Sequence, residues 1–257
     1  MLLRATVILG TLLSAVESSA FVANPPWSSS GTSCTPQHQQ RSTLAQKNTR
    51  QQVVAPLQRP RLGFIAAALG DVVNGGDAEV DGKPAIPRLV VMDLDDTLWG
   101  AEIEMMKGSP FTRGKDGKVM DCGGKVIDLF PGVRETLLEV HREDRFAGTR
   151  LAIASRTPAI RWARELLSIF ELEPGLSMET VFSYSEIYSG SKIGHFGELK
   201  RNTGIAYADM IFFDDWDENC KEVGSLGVTC VECGQGFNRD VWTRGLADYT
   251  AAATRAL

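Results

Sequence analysis

Histidine is scarce in this 257-residue chain, which has three: His38, His141 and His195. Three scattered imidazoles argue against a histidine-built metal centre. Cysteine is also sparse. Cys34, Cys122, Cys220, Cys230 and Cys233 are too few and too dispersed for a dense disulfide framework. Cys230 and Cys233 have CxxC spacing, but no second pair accompanies them at zinc-like spacing, and they close a predicted strand instead of opening a helix. They read as two ordinary thiols. No apolar run is long enough to cross a bilayer as a helix. Acidic residues are missing altogether from residues 21–70.

That last absence divides the chain. Residues 1–70 hold six of its 27 Lys/Arg and one of its 32 acids, so the remaining sequence carries 21 bases against 31 acids. A domain this acidic repels nucleic-acid phosphates and anionic lipid, which excludes a nucleic-acid partner and a membrane surface for the mature form. The first twenty residues read as a secretory-type signal. Arg4 precedes a short apolar run from Ala5 to Leu13, and Ser18-Ser19-Ala20 offers small residues for cleavage before Phe21. Residues 21–70, rich in Ser, Thr, Gln, Pro and Arg, have transit-peptide composition and are expected to stay out of the fold. The order of signal, Phe21 and acid-free segment resembles the bipartite plastid presequences of algae with secondary plastids. That resemblance implies delivery to a plastid; the alternative is the secretory pathway.

Residues 71–86 read as a linker, with Gly75-Gly76, Gly82 and Pro84. One folded domain is expected over 87–250, followed by a short tail at 251–257. Leu89-Val90-Val91-Met92 is a continuous apolar run with no polar alternation, which suits a strand buried on both faces of a parallel sheet. Leu151 to Ala154, Met210 to Phe213 and Val228 to Val231 look the same, and Thr180 to Ser183 is a weaker candidate. Helical spacing falls between them, over Val133 to Arg145, Pro158 to Phe170, Glu198 to Thr203 and Asp217 to Leu226. Thr157 is the expected N-cap of the second of these. Alternating strand and helix gives an α/β class: a Rossmann-like, mainly parallel sheet with helices on both faces. Asp116-Gly117 and Gly123-Gly124 are hairpin-type pairs, so residues 100–130 read as a small β flap.

Acids cluster where these strands end. Asp93, Asp95 and Asp96 follow one buried run, Asp214 and Asp215 follow another, and Ser155 follows a third. In an open parallel sheet the carboxyl ends of the strands line one crevice, where ligands bind. Carboxylates gathered there need a cation, and hard oxygen ligands of this kind suit Mg²⁺. A carboxylate can attack phosphorus as a nucleophile. A second carboxylate two residues on can protonate the leaving oxygen and then activate water. Asp93 and Asp95 have that spacing. Ser155 with the next amide can donate to phosphoryl oxygens, and Lys192, after Gly190-Ser191, can supply a point charge.

Asp93-Leu94-Asp95-Asp96-Thr97, then Ser155, Lys192 and Asp214-Asp215, resemble the four ordered motifs of the haloacid-dehalogenase superfamily. Asp95 places the chain on the phosphatase side. The match is closer to the eukaryotic magnesium-dependent phosphatases, of the capless acid phosphatase type. It is carried by Thr97-Leu98-Trp99, Leu129-Phe130-Pro131, Ala154-Ser155-Arg156-Thr157, Glu186-Ile187-Tyr188, Gly190-Ser191-Lys192 with His195-Phe196, Phe212-Phe213-Asp214-Asp215 and Leu226 to Cys230. The resemblance implies catalysis by Asp93 as nucleophile and Asp95 as general acid and base. It implies Mg²⁺ held by Asp93, the Asp95 carbonyl and Asp214, with Asp215 beside them and able to pair with Lys192. Leu94, Asp95, Thr97, Ser155, Arg156 and Lys192 would serve the substrate side, Thr97 by orienting the loop. Asp96 stands where relatives often have an aromatic. Glu102 falls where they tend to place a substrate-facing Trp.

The gaps from Thr97 to Ser155 and from Ser155 to Lys192 are too short for a cap domain. An uncapped site admits a phosphorylated small molecule or a phosphoprotein, and the family's activities on phosphotyrosine and phosphorylated sugars both fit. A phosphate-sensing interaction domain and a phosphotransferase are the alternatives. Intact Asp95 argues against the first, and missing water exclusion against the second. His195 reads as a helix-start group. Trp162, Trp216 and Trp242 read as packing, Trp99 as a residue near the pocket, and Asn219 as either an orienting amide or a solvated one.

Overall fold

A computed structural model of the protein describes residues 84–255. The signal, the transit-like segment and most of the linker lie outside the described residues.

The central sheet has five strands, all parallel. In chain order they are β1 (Leu89–Met92), β5 (Arg150–Ser155), β8 (Phe182–Ile187), β9 (Met210–Asp214) and β10 (Thr229–Glu232). Their spatial order is β10-β9-β1-β5-β8. β1 is buried at every position because it is central and both its faces are covered. Alternate residues serve opposite layers. Val90, Met92, Ile153, Ile211 and Phe213 face one core, completed by α1 (Val133–Arg142), α2 (Ile160–Ile169) and α6 (Arg239–Arg255). Leu89, Val91, Ala152, Ala154, Met210 and Phe212 face the other, covered by α4 (Lys192–Thr203) and α5 (Asp217–Gly224).

From β1 the chain steps outward through β5 to β8, then returns to the far side of β1 for β9 and β10. The direction of winding therefore reverses at β1. Side chains leaving the carboxyl ends of β1, β5 and β9 converge on that point.

Between β1 and α1 lies the flap, a three-stranded antiparallel sheet of β2 (Thr112–Arg113), β3 (Val119–Met120) and β4 (Val126–Ile127). Its two turns use Gly117 at φ +83° and Gly124 at φ +81°, in the left-handed region that favours glycine. A second small hairpin, β6 (Glu171–Glu173) with β7 (Leu176–Ser177), lies between α2 and β8. Among the described residues neither connection carries a separate cap domain.

Several boundaries differ from the sequence reading. β8 starts at Phe182, because Met178–Val181 forms one helical turn, α3, first. α2 is capped by Ala159, with the Thr157 hydroxyl accepting from the Ala159 amide at 3.3 Å. α4 begins at Lys192, well before Glu198. Gly194 and Gly197 obscure its pattern, yet the Ser191 hydroxyl caps it by accepting from the Gly194 amide at 3.3 Å. α6 was not expected, and it continues to Arg255 through residues read as tail. Its Gly245 lies so close to the sheet that a Cβ there would meet the Phe213 ring at 2.8 Å. Ala85 and Ile86, read as linker, pack on the core.

Candidate active site

The register of β1 with β9 pairs Met92 with Phe213, so the next residues, Asp93 and Asp214, leave the sheet side by side. The Asp93 amide donates to the Phe213 carbonyl at 3.0 Å, which extends the ladder by one bond. Both side chains lie toward the α4 layer, and α4 delivers Lys192 between them. The Lys192 ammonium is wholly buried. It donates to Asp93 Oδ1 at 2.8 Å, to Asp214 Oδ2 at 2.8 Å and to the Ala154 carbonyl at 2.6 Å. Its Nζ also stands 5.1 Å from the centre of the Phe212 ring. An ammonium has three donors, and here each meets an acceptor. Lys192 therefore holds the two strand ends together, and its charge, more than a free N–H, reaches the crevice.

Burial alone would pull the Lys192 ammonium down. The carboxylates of Asp93 and Asp214 outweigh it and raise the group above its ordinary value. Asp93 is pushed up to about 6: burial dominates, Lys192 opposes it, and neighbouring Asp214 adds to it. Asp215 is also raised, by burial and then by Asp214. Asp93, Asp214 and Asp215 bring one carboxylate oxygen each to within 4.8 Å of one another. Such a set of hard oxygen donors fits Mg²⁺. A divalent cation there would reverse the shift at Asp93.

Asp215 does not pair with Lys192, in contrast to the expectation from the motif. Its Oδ1 accepts from the Thr97 hydroxyl at 3.2 Å, and its own amide donates back to that hydroxyl at 3.0 Å. Thr97 is fully buried by this exchange. It ties the loop after β1 to the loop after β9 and does not line the crevice. Ser155, also buried, ends β5 beside them, its hydroxyl facing the Thr157 amide at 3.4 Å. Leu94, between Asp93 and Asp95, is fully buried. Arg156 is exposed at the rim. Its guanidinium lies 5.5 Å over the Trp216 ring and donates to Asn219 Oδ1 at 3.0 Å.

Asp95 sits two residues beyond Asp93 in a different environment. Its Oδ1 accepts from the Trp99 indole at 2.8 Å. Burial pushes its carboxyl up to about 8, although the Trp99 and Ile103 donors oppose the rise. Among the described residues no cationic side chain pairs with it. Asp96 adopts φ +51°, a left-handed turn that aspartate tolerates. The carboxyl of Glu102 is raised by burial and then by Asp96, Glu104 and Asp93, so this rim is acidic.

Other assignments change with the structure. Trp216 is 53% exposed, so it is rim and not packing. Trp242 is buried, and Trp162 meets Phe111 edge-on at 6.3 Å. His195 is buried, with its ring nitrogens 2.8 Å from the Ser191 carbonyl and 2.9 Å from that of Tyr188, under a stacked Tyr188 ring. It closes the loop that presents Lys192. Asn219 proves to be an orienting group: its amide donates to both oxygens of Asp214, at 3.0 and 3.1 Å. Its position five residues after Asp214, in the first turn of α5, was the available signal. Cys220, Cys230 and Cys233 are free thiols; burial pushes Cys230 up to about 12 and the other two higher. Thiols so reluctant to ionise are poor metal ligands and nucleophiles.

Several known proteins are similar to this chain. A sequence model of the Acid Phosphatase family matches residues 85–252. The chain is 39% identical over 172 residues to magnesium-dependent phosphatase 1 of Homo sapiens, covering 67% of this chain and 92% of that protein. It is 34% identical over 151 residues to a HAD-like hydrolase superfamily protein of Schizosaccharomyces pombe, covering 57% of this chain and 85% of that one. Among solved structures, a HAD-family enzyme of Bacteroides thetaiotaomicron, in complex with magnesium and inorganic phosphate, overlaps 58% of this chain and 94% of its own with a TM-score of 0.42 and 14% identity. The chain thus belongs to the Acid Phosphatase family, magnesium-dependent phosphatases of the haloacid-dehalogenase superfamily.

Proposed function

We propose that this phosphatase hydrolyses phosphate monoesters through a phosphorylated Asp93. The observation that supports the reading is the contrast between two carboxyls on one loop. Asp93 stands beside Lys192 and the metal-fitting acids, where its charged form is favoured once a cation is present. The Asp95 carboxyl has no cationic side chain paired with it among the described residues and is pushed up to about 8 by burial. Two neighbouring acids with separated proton affinities divide into a nucleophile and a general acid.

In the first step an Asp93 oxygen attacks phosphorus and the bond from phosphorus to the leaving oxygen breaks. The Asp95 proton passes to that oxygen. In the second step the Asp95 carboxylate takes a proton from water, the water oxygen attacks phosphorus, and the bond to Asp93 breaks. Phosphate leaves and Asp95 is again protonated. Asp93 and Asp214, with the Asp95 carbonyl, would hold Mg²⁺, and a cation there would supply positive charge to offset the phosphoryl oxygens. Ser155 and the Leu94 amide orient the phosphoryl group, and Arg156 at the rim meets what lies beyond it.

The open crevice suits a phosphate displayed on a protein, including phosphotyrosine, and phosphorylated sugars. A panel of phosphopeptides and sugar phosphates assayed at equal concentration ranks them. Incubating Asp95→Asn with an activated aryl phosphate should leave phosphate on the peptide containing Asp93, detected by mass spectrometry. Undiminished hydrolysis by Asp93→Asn would refute the nucleophile. We also propose plastid delivery, supported by the acid-free composition of residues 21–70. A fluorescent fusion of residues 1–70 that stays outside plastids in an alga with secondary plastids would overturn it.

A further inference from the structure

We propose that Trp99 is a positioning residue for the general acid, holding Asp95 in the orientation from which it protonates the leaving oxygen. The proposal rests on the reading of Asp95 as general acid.

Trp99 is completely buried. Its indole N–H donates to Asp95 Oδ1 at 2.8 Å. A buried indole N–H needs an acceptor, and this one spends its single donor on a group of the active loop. The indole itself is fixed. It stacks on Phe170, with centroids 6.0 Å apart and 19° between the planes. Its backbone bridges Leu129, and the flanking bonds Gly100 N–H to Asp128 and Phe130 N–H to Leu98, at 3.2 and 3.0 Å, tie the same segment to the return strand of the flap.

A carboxyl that must deliver a proton to one atom gains from losing its rotational freedom. With Oδ1 engaged by the indole, Oδ2 is the oxygen available to carry the proton toward the substrate. The hydrogen bond therefore fixes both which oxygen acts and where it points. Packing alone would not require this contact, because a phenylalanine could fill most of the same apolar space against Phe170. Sterically, the contact is possible because the loop 93–99 is a tight turn in which the Leu94 carbonyl accepts from the amides of Thr97, Leu98 and Trp99 at 3.3, 2.8 and 3.4 Å. The turn carries residue 99 back over residue 95.

The test compares kcat/KM for phenyl phosphate with that for 2,4-dinitrophenyl phosphate, in the full chain with Mg²⁺. Expulsion of phenol, with pKa about 10, needs a proton in the transition state; expulsion of dinitrophenolate does not. Because kcat/KM covers steps only through phosphoryl transfer to Asp93, later hydrolysis of the intermediate does not blur it. In Trp99→Phe the preference for the activated ester should rise roughly tenfold, part of the roughly 100-fold or more that general acid catalysis supplies. The ratio is independent of how much of the variant is folded, so a loss of stability cannot imitate the result. Asp95→Asn serves as the reference and should raise the preference further. A preference in Trp99→Phe within about twofold of the wild type, while Asp95→Asn shifts it strongly, would overturn the role of Trp99 alone. No shift in Asp95→Asn would overturn the general acid on which the proposal stands.

Discussion

Replacing Lys192 by Met tests the centre of the site. The substitution nearly preserves volume, so it removes charge and hydrogen bonds without opening a large cavity. Three acceptors lose a donor: Asp93 Oδ1, Asp214 Oδ2 and the Ala154 carbonyl. The ammonium and Asp214 are fully buried, and Asp93 nearly so. Removing one partner of a buried ion pair costs about 3–5 kcal/mol, because the remaining charge is left uncompensated. For a domain of this size that is a fall in Tm of roughly 10 °C. The sign of the pH dependence follows from Asp93. Its carboxyl in the folded protein lies at about 6, above the ordinary 3.8, because of burial and despite Lys192. A carboxyl raised on folding favours the folded state while protonated, and that advantage is lost as pH rises through the folded value. Without Lys192 the value moves further up. The deficit of Lys192→Met should therefore be small at pH 5 and largest near pH 8, measured by urea unfolding in EDTA. Adding Mg²⁺ at pH 8 should narrow it. A deficit below about 1 kcal/mol, equal at both pH values, would show that the ammonium does not offset the two carboxylates.

The kcat/KM profile should be bell-shaped. Its basic limb falls at or below about pH 8, as Asp95 loses the proton it must donate. Its acid limb falls as Asp93 is protonated at about 6, and Mg²⁺ should move that limb lower because a cation favours the ionised carboxyl. A basic limb that persists in Asp95→Asn would refute the assignment. Away from the site, Glu139 is buried on α1 and accepts from Arg145, Arg239 and the Trp242 indole, joining α1 to α6. Glu139→Ala should cost about 3 kcal/mol in urea unfolding, since the arginines retain access to water; activity per folded molecule should hold. Gly236→Ala should also destabilise, by about 1–3 kcal/mol, because φ is +97° and the new Cβ would meet the Phe130 ring at 2.3 Å.

Much of the architecture was readable in order of residues alone. Four apolar runs became four strands of the parallel sheet, since a strand covered on both faces has no reason to alternate. The acids after Met92 and Phe213 marked the crevice, because carboxyl ends of parallel strands share one edge. The turn pairs Asp116-Gly117 and Gly123-Gly124 marked the flap. Helix α6 and the start of α4 were hidden by Gly245, Gly194 and Gly197, whose helical placement depends on packing and on the Ser191 cap.

Sequence alone determined which chemical groups would meet: acids two apart on one loop, a second acid pair, a hydroxyl and an ammonium. The fold decided their partners. Spacing could not foretell that Lys192 bonds Asp93 and Asp214 while Asp215 turns to Thr97. Nor could it show Asn219 steadying Asp214, or Trp99 reaching back to Asp95. Hydrogen bonds and proton affinities depend on distances of a few ångströms and on exclusion of water. Both are set only when segments distant in the chain pack against one another.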